Sequence, residues 1–97
     1  MWKPWSKLIF PYGNGNNGIM TFSPIADSAI LGAACRTRRK ALGLTIQDAA
    51  GAAGVNYRFA SEFERGKPSC SIGLALRYAN MLGLNLFYES PPDQSES

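Results

Sequence analysis

Apolar and small residues recur at three- and four-residue spacing along most of the chain, and Gly, Asn, Ser and Pro punctuate them. Ile30, Leu31, Ala34, Cys35 and Leu42 fall on one helical face. This predicts a first helix from a Ser23-Pro24 cap to about Leu42, stopped by Gly43. Thr45-Ile46-Gln47-Asp48 has the capping-box pattern and opens a second helix through Ala53, which Gly54 ends. Asn56 caps a third helix from Tyr57 to Arg65, and Gly66 stops it. After Lys67-Pro68-Ser69-Cys70, Ser71 caps a fourth helix that is predicted to bury Ile72, Ala75, Leu76, Ala79 and Leu82, with Gly83 at its end. Leu84-Asn85-Leu86-Phe87-Tyr88 then alternates as a short strand does. The expected fold class is all-α, with four to five helices and a short C-terminal β-strand.

The periodicity divides the chain into four stretches: 1–22 as an extension, 23–83 as the helical domain, 84–89 as the strand and 90–97 as a disordered acidic tail. Residues 1–22 carry the turn-rich run Tyr12-Gly13-Asn14-Gly15-Asn16-Asn17-Gly18, which is costly to order. Trp2, Trp5, Leu8, Ile9 and Phe10 before it are unusually apolar for a free arm. Two explanations stand side by side: translation truly starts at Met20, or these aromatics pack on the domain or on a partner.

Composition narrows the function classes. Ninety-seven residues make one domain, too small for an enzyme with a deep pocket. With no histidine and two cysteines, Cys35 and Cys70, no metal site or cofactor is expected. No acid–base or nucleophilic constellation is evident either, so the chain is not expected to be an enzyme. Gly13-Asn14-Gly15 lacks the strand–turn–helix context of a nucleotide loop. Leu8-Ile9-Phe10 is cut by Pro11 and is too short for a membrane span, and unpaired cysteines fit a reduced compartment, so a cytoplasmic protein is expected. The net charge is +3, but its distribution is more telling. Between residues 36 and 67 lie seven basic side chains (Arg36, Arg38, Arg39, Lys40, Arg58, Arg65 and Lys67) against three acids, whereas Glu89, Asp93 and Glu96 make the tail acidic. A basic middle with an acidic end suits a chain that sets one face against phosphate.

The second and third helices form the central motif. A helix-turn-helix needs a residue free to take positive φ at the turn, small residues where the helices approach, and an exposed outer face on the second of the pair. Gly54 supplies the first, and Ala49, Ala50 and Ala53 the second. At 100° per residue, Phe59, Ala60, Phe63 and Glu64 fall on one side of the third helix. Tyr57, Arg58, Ser61, Glu62 and Arg65 fall opposite, in an arc of roughly 140°. Arg58 is suited to a guanine edge, Glu62 to a cytosine amino group, Ser61 to either donor or acceptor, and Tyr57 to a phosphate or a thymine methyl. Arg36, Arg38, Lys40, Gln47, Asn56, Arg65 and Lys67 are the candidate phosphate contacts.

With these residues in place, the run from Gly43-Leu44-Thr45 through Ala53-Gly54-Val55 to Glu64-Arg65-Gly66-Lys67, closed by Met81-Leu82-Gly83-Leu84, resembles the lambda-repressor-like domains of the XRE helix-turn-helix regulators. The resemblance spans about residues 27–84. It implies a sequence-specific DNA-binding protein, and a role for Arg39 as the first-helix arginine that pairs structurally with the recognition-helix glutamate, here Glu64. One departure concerns the phosphate contact that these domains usually make through a glutamine directly after the threonine. Here Ile46 stands at that position and Gln47 follows one residue later.

The strand after the fourth helix, together with the Arg58-to-Lys67 run, is similar to the HipB-type antitoxins, whose C-terminal strands pair across a dimer. A lone strand leaves backbone groups unpaired, which pairing with its twin satisfies while burying Leu84, Leu86 and Tyr88; Phe87 belongs to the same dimer strand. A C-terminal extension packed on a monomer is the alternative. The resemblance implies a homodimeric repressor on a palindromic operator that also serves as antitoxin of a HipA-like kinase toxin and represses their shared operon. The competing expectation is a protein-interaction module, toxin-binding or scaffolding, with little specific DNA binding.

Overall fold

The computed structural model describes residues 20–92, and these form four helices. They are α1 (Ser28–Ala41), α2 (Ile46–Ala53), α3 (Tyr57–Glu64) and α4 (Ile72–Met81). α3 packs against both α1 and α2, and α4 closes the other side of α1 and α2. The expectations for residues 1–19 and for the tail beyond Pro92 lie outside the described residues. No helix among the described residues is long and apolar enough to cross a membrane.

α1 starts later than the Ser23-Pro24 signal suggests. Its cap is Asp27, whose Oδ1 accepts from the Ile30 amide at 3.0 Å. An aspartate both supplies the capping oxygen and places negative charge at the positive helix end, so it outcompetes the Ser23-Pro24 pair upstream. Arg38, Arg39 and Lys40 occupy the last turn, where cations complement the opposite pole. Of the expected apolar face, Leu31 and Cys35 are buried, while Ile30, Ala34 and Leu42 are exposed. The buried stripe of α1 runs through Leu31, Gly32, Cys35 and Arg39 instead.

The capping box at α2 forms as a pair. Thr45 Oγ1 accepts from the Asp48 amide at 3.0 Å, and an Asp48 carboxylate oxygen accepts from the Thr45 amide. At the other end Gly54 takes φ +71°, a conformation that costs L-residues dearly. There the Val55 amide reaches back to the Ala50 carbonyl at 3.0 Å, which satisfies an orphan acceptor at the helix end. The same five-residue-back bond closes the other three helices, from Leu44 to Arg39, Lys67 to Glu62 and Leu84 to Ala79. Repetition of one stop signal keeps the helices short and the connections tight. Asn56 Oδ1 caps α3 on the amides of Arg58 and Phe59, and Ser71 Oγ caps α4 on the Leu74 amide. α3 ends at Glu64, with Arg65 as its C-cap.

The core is built from small residues and a few large ones. Ala49, Ala50, Ala53, Ala60, Ala75 and Ala79 are buried where helices meet, and Phe63, Tyr78, Leu82 and Cys35 fill the spaces between. Phe63 stacks on Phe59 at 5.4 Å between ring centroids and meets Tyr78 edge-on at 6.1 Å. On α4 the expectation needs correction at two positions: Ile72 is 69% exposed and Leu76 is 38% exposed. The buried stripe passes through Ala75, Tyr78, Ala79 and Leu82, which turns Ile72 and Leu76 outward.

Among the described residues there is no β-strand. Leu84 to Ser90 run without regular secondary structure. Leu84 and Leu86 pack half-buried against the core, while Phe87 and Tyr88 are exposed, so the expected burial of Tyr88 with the two leucines does not occur in the single chain. A strand is defined by a ladder, and among the described residues no second strand lies beside this segment.

Candidate nucleic-acid interface

Gly54 and Val55 join α2 to α3 in a tight helix–turn–helix corner. Arg77 on α4 braces it from behind, donating through Nη1 to the Gly54 carbonyl at 3.1 Å. The two helices approach closely because the residues between them are alanines. Ala49, Ala50, Ala53 and Ala60 leave little bulk, and Phe63 lies beneath them.

α3 presents two distinct sides. Ala60, Phe63 and Glu64 are buried and Phe59 is half-buried. Tyr57, Arg58 and Arg65 are exposed, and Ser61 and Glu62 are half-exposed on the same outward arc. The amphipathic division predicted by the helical period is the one the packing adopts. Tyr57 is 55% exposed although aromatic, which leaves its ring and hydroxyl available to a ligand.

Beneath this face lies a buried polar network. Arg39 on α1 meets Glu64 on α3, with Nε 2.8 Å from Oε2 and Nη2 2.8 Å from Oε1. Its Nη1 donates to the Leu44 carbonyl at 2.8 Å, tying the α1–α2 turn into the network. Tyr78 on α4 donates its hydroxyl to Glu64 Oε2 at 2.6 Å. The hydrogen bond to Glu64 holds the Arg39 guanidinium above its ordinary pKa. Burial first, and the bond and charge of Glu64 second, push the Tyr78 phenol well above 10 and keep it a donor. The Cys35 thiol nearby is pushed up to about 12 by burial and by the Glu64 charge. Charges removed from water are tolerable here because each has partners in good geometry. Three helices and a turn thereby fix the rotation of α3 about its axis.

At the surface, Glu62 stands between two cations. Arg58 Nε lies 3.3 Å from its Oε2 and Lys67 Nζ 3.1 Å from its Oε1. The Lys67 hydrogen bond chiefly, and that of Arg58 next, lower the Glu62 pKa. These side chains border a shallow cleft between α3 and the 67–71 loop, which Asn56, Phe59 and Cys70 also line. Arg36, Lys40 and Gln47 are exposed. Arg38 is partly committed, since its Nε donates to the Leu82 carbonyl at 2.8 Å and it braces α1 against the end of α4. Asn56 is likewise engaged through Oδ1 at the α3 cap.

Several positioning residues escaped the sequence pattern. Tyr78 lies outside the stripe expected for the fourth helix (Ile72, Ala75, Leu76, Ala79 and Leu82), yet it is fully buried and bonded to Glu64. Gly32 carries no signal in the sequence, where glycine within a helix reads only as a weak former. A Cβ there would lie 2.0 Å from the Phe63 carbonyl oxygen, so α1 and α3 touch backbone to backbone at this point. The Ser28 hydroxyl lies 3.1 Å from both the Lys67 and the Pro68 carbonyls and anchors the loop after α3 to the start of α1.

A tight turn, a buttressed second helix and a long-armed polar outer face define a helix-turn-helix protein. The Helix-turn-helix family model matches residues 36–88, more than half of the chain, and the protein belongs to this family. It is 36% identical over 70 residues to an uncharacterized HTH-type transcriptional regulator, y4mF, of Sinorhizobium fredii (strain NBRC 101917 / NGR234). That match covers 72% of this chain and 92% of the relative.

Proposed function

We propose that this protein is a sequence-specific DNA-binding transcriptional repressor that acts as a homodimer and doubles as the antitoxin of a HipA-like kinase toxin. The observation that carries the DNA-binding part is α3 itself: a polar outer face locked in rotation by the Arg39–Glu64–Tyr78 network. A helix free to roll could not present the same side chains to base edges each time. Tyr57, Arg58, Ser61 and Glu62 are assigned to the major groove, with Arg58 suited to a guanine and Glu62 to a cytosine amino group. Arg36, Lys40, Gln47, Asn56, Arg65 and Lys67 are assigned to phosphates, fixing register without reading sequence. Arg38 joins them through its terminal nitrogens, its Nε being held by Leu82.

The dimer and antitoxin parts rest on the C-terminal region. Phe87 is 62% and Tyr88 88% exposed, and Ile72 and Leu76 add outward apolar side chains one turn apart on α4. Apolar side chains held in solvent favour association with another protein surface. Antiparallel pairing of residues 84–88 from two copies accounts for the first set, and a toxin surface for the second.

A salt-titrated binding assay on the protein's own upstream promoter region, with wild type beside Arg58→Ala, tests the first part. Tight, selective binding that weakens steeply with salt and loses selectivity in the variant is the expected result. Equal weak binding to promoter and random DNA, unaltered by the variant, would leave a protein-interaction module as the better account. The antitoxin part is tested by co-expression with a neighbouring kinase gene; failure to restore growth would remove it.

A further inference from the structure

Glu62 is an odd occupant of a surface that must approach a polyanion. It lies on the outward arc of α3, its side chain 29% exposed, between an Arg58 side chain that is 83% exposed and a Lys67 side chain that is 51% exposed. Arg36, Lys40 and Arg65 have no such carboxylate; the ion pairs among the described residues place Arg39 with Glu64, and Arg58 and Lys67 with Glu62. One carboxylate therefore occupies the two cations that flank it on the outward face and leaves Arg36, Lys40 and Arg65 available. We infer that Glu62 is a specificity-determining residue that works chiefly by weakening attachment to DNA lacking the right base, rather than by strengthening attachment to DNA that has it. This inference rests on the DNA-binding reading of α3.

The physical basis is a difference in what the two kinds of DNA offer. A non-cognate duplex presents phosphate oxygens, which only accept. Arg58 and Lys67 can bind them only by leaving Glu62, and the carboxylate is then left facing negative charge with no donor. A cognate duplex presents a base-edge donor, such as a cytosine amino group, at the position Glu62 reaches. There the carboxylate exchanges one set of donors for another, while Arg58 is released to its base edge and Lys67 to the backbone. The cluster thus lowers affinity for all duplexes, and lowers it least where a donor meets Glu62. Specificity of this kind is a difference between affinities, gained by penalising the wrong partner. The bonds from Lys67 and Arg58 also lower the Glu62 pKa, so the carboxylate stays charged under ordinary conditions.

The test compares the full-length wild type with E62Q, which keeps size and an acceptor oxygen but removes the charge. Fluorescence anisotropy is measured on a duplex from the protein's own upstream region and on a random duplex of equal length, across a salt series. Releasing one net cation to phosphate steepens the salt dependence on random DNA by about 0.9 in log–log slope, equivalent to roughly eightfold tighter random binding at about 0.1 M salt. The ratio of upstream to random affinity should fall by at least the same factor. E62A serves as the second variant and should move both quantities in the same direction, with circular dichroism melts to show that each variant is folded. Random-duplex affinity within about twofold of wild type in both folded variants, on a wild type that itself binds selectively, overturns this inference and leaves the DNA-binding reading intact. A wild type with no selectivity for the upstream duplex sinks both.

Discussion

Glu64 is 99% withdrawn from solvent in its side chain, yet it is the most heavily bonded carboxylate of the domain, holding Arg39 through two nitrogens and Tyr78 through its hydroxyl. Removing one partner leaves a buried charge unmatched, which costs more than the pair contributes when whole. Arg39→Met should therefore destabilise by about 3–5 kcal/mol, and Tyr78→Phe by about 1.5–3 kcal/mol, in urea unfolding. Losses under about half a kcal/mol for both would mean that water reaches Glu64 and that the network is not what fixes α3. The same site sets a pH dependence. Burial holds the Cys35 thiol protonated up to about pH 12, against an ordinary value of 9.0, so an unfolded chain releases that proton before the folded one does. Stability is then complete below about pH 9 and declines as pH rises toward 12, by up to about 1.4 kcal/mol per pH unit for this one proton. Tyr78, raised in the same direction, adds to the decline above pH 10. A melting temperature that falls from pH 8 to pH 10.5, and falls less steeply in Cys35→Ala, is the expected result; parallel slopes would assign the alkaline loss elsewhere. Of this network, Arg39 and Glu64 were legible from the family resemblance and the helical wheel. Tyr78 is not legible there, because the 3–4 spacing selects the stripe through Ile72 and Leu76 and nothing local gives its hydroxyl a partner.

The helices themselves were read well wherever local chemistry decides a boundary. Thr45 and Asp48, Asn56, Ser71 and the glycines after α2 and α3 act within four residues of themselves, so their signals survive without tertiary context. The start of α1 is less legible, because the Ser23-Pro24 and Asp27 capping signals compete upstream of Leu31 and local sequence does not rank them. Ile72 and Leu76 face outward against the expectation because 3–4 spacing defines a stripe but not which of two adjoining stripes faces the core. Gly32 belongs to this scale too, since its role concerns how close two helices come. With the Phe63 carbonyl 2.0 Å from where a Cβ would stand, Gly32→Ala must push α1 from α3. The expected loss is about 1–3 kcal/mol, as for other overpacked contacts. It should be accompanied by loss of DNA selectivity, because α3 carries the outer face with it when it moves. An alanine variant that unfolds in urea at the wild-type midpoint and keeps its selectivity would show that the backbones part without consequence.

Assembly is the scale at which one chain is least informative, and the segment 84–88 shows why. Alternation of Leu84, Leu86 and Tyr88 is a strand pattern, but strand formation requires a ladder, and the described residues of one copy hold no strand. In the isolated chain the two leucines settle against the core and Phe87 packs its ring edge-on to Phe22 at 5.9 Å, leaving Tyr88 outermost. The proposed pairing with a second copy needs little rearrangement, since Leu84 and Leu86 already point inward and the exposed residues beside them become the contact. Replacing Phe87 and Tyr88 together with aspartate places like charges opposite one another across a two-fold axis, where they repel. Wild type should sediment at twice the chain mass at micromolar concentration, and the double variant at the single chain mass, still folded but with a melting temperature lowered by loss of the dimer and of the Phe87–Phe22 contact. DNA binding then supplies an independent check. A dimer engages two half-sites about 34 Å apart, whereas a monomer engages one, so the variant's salt slope should drop to about half of the wild-type value. If wild type already sediments as a single chain and protects only one half-site, the apolar side chains at 87 and 88 must serve a different partner, and repression cannot depend on a palindrome.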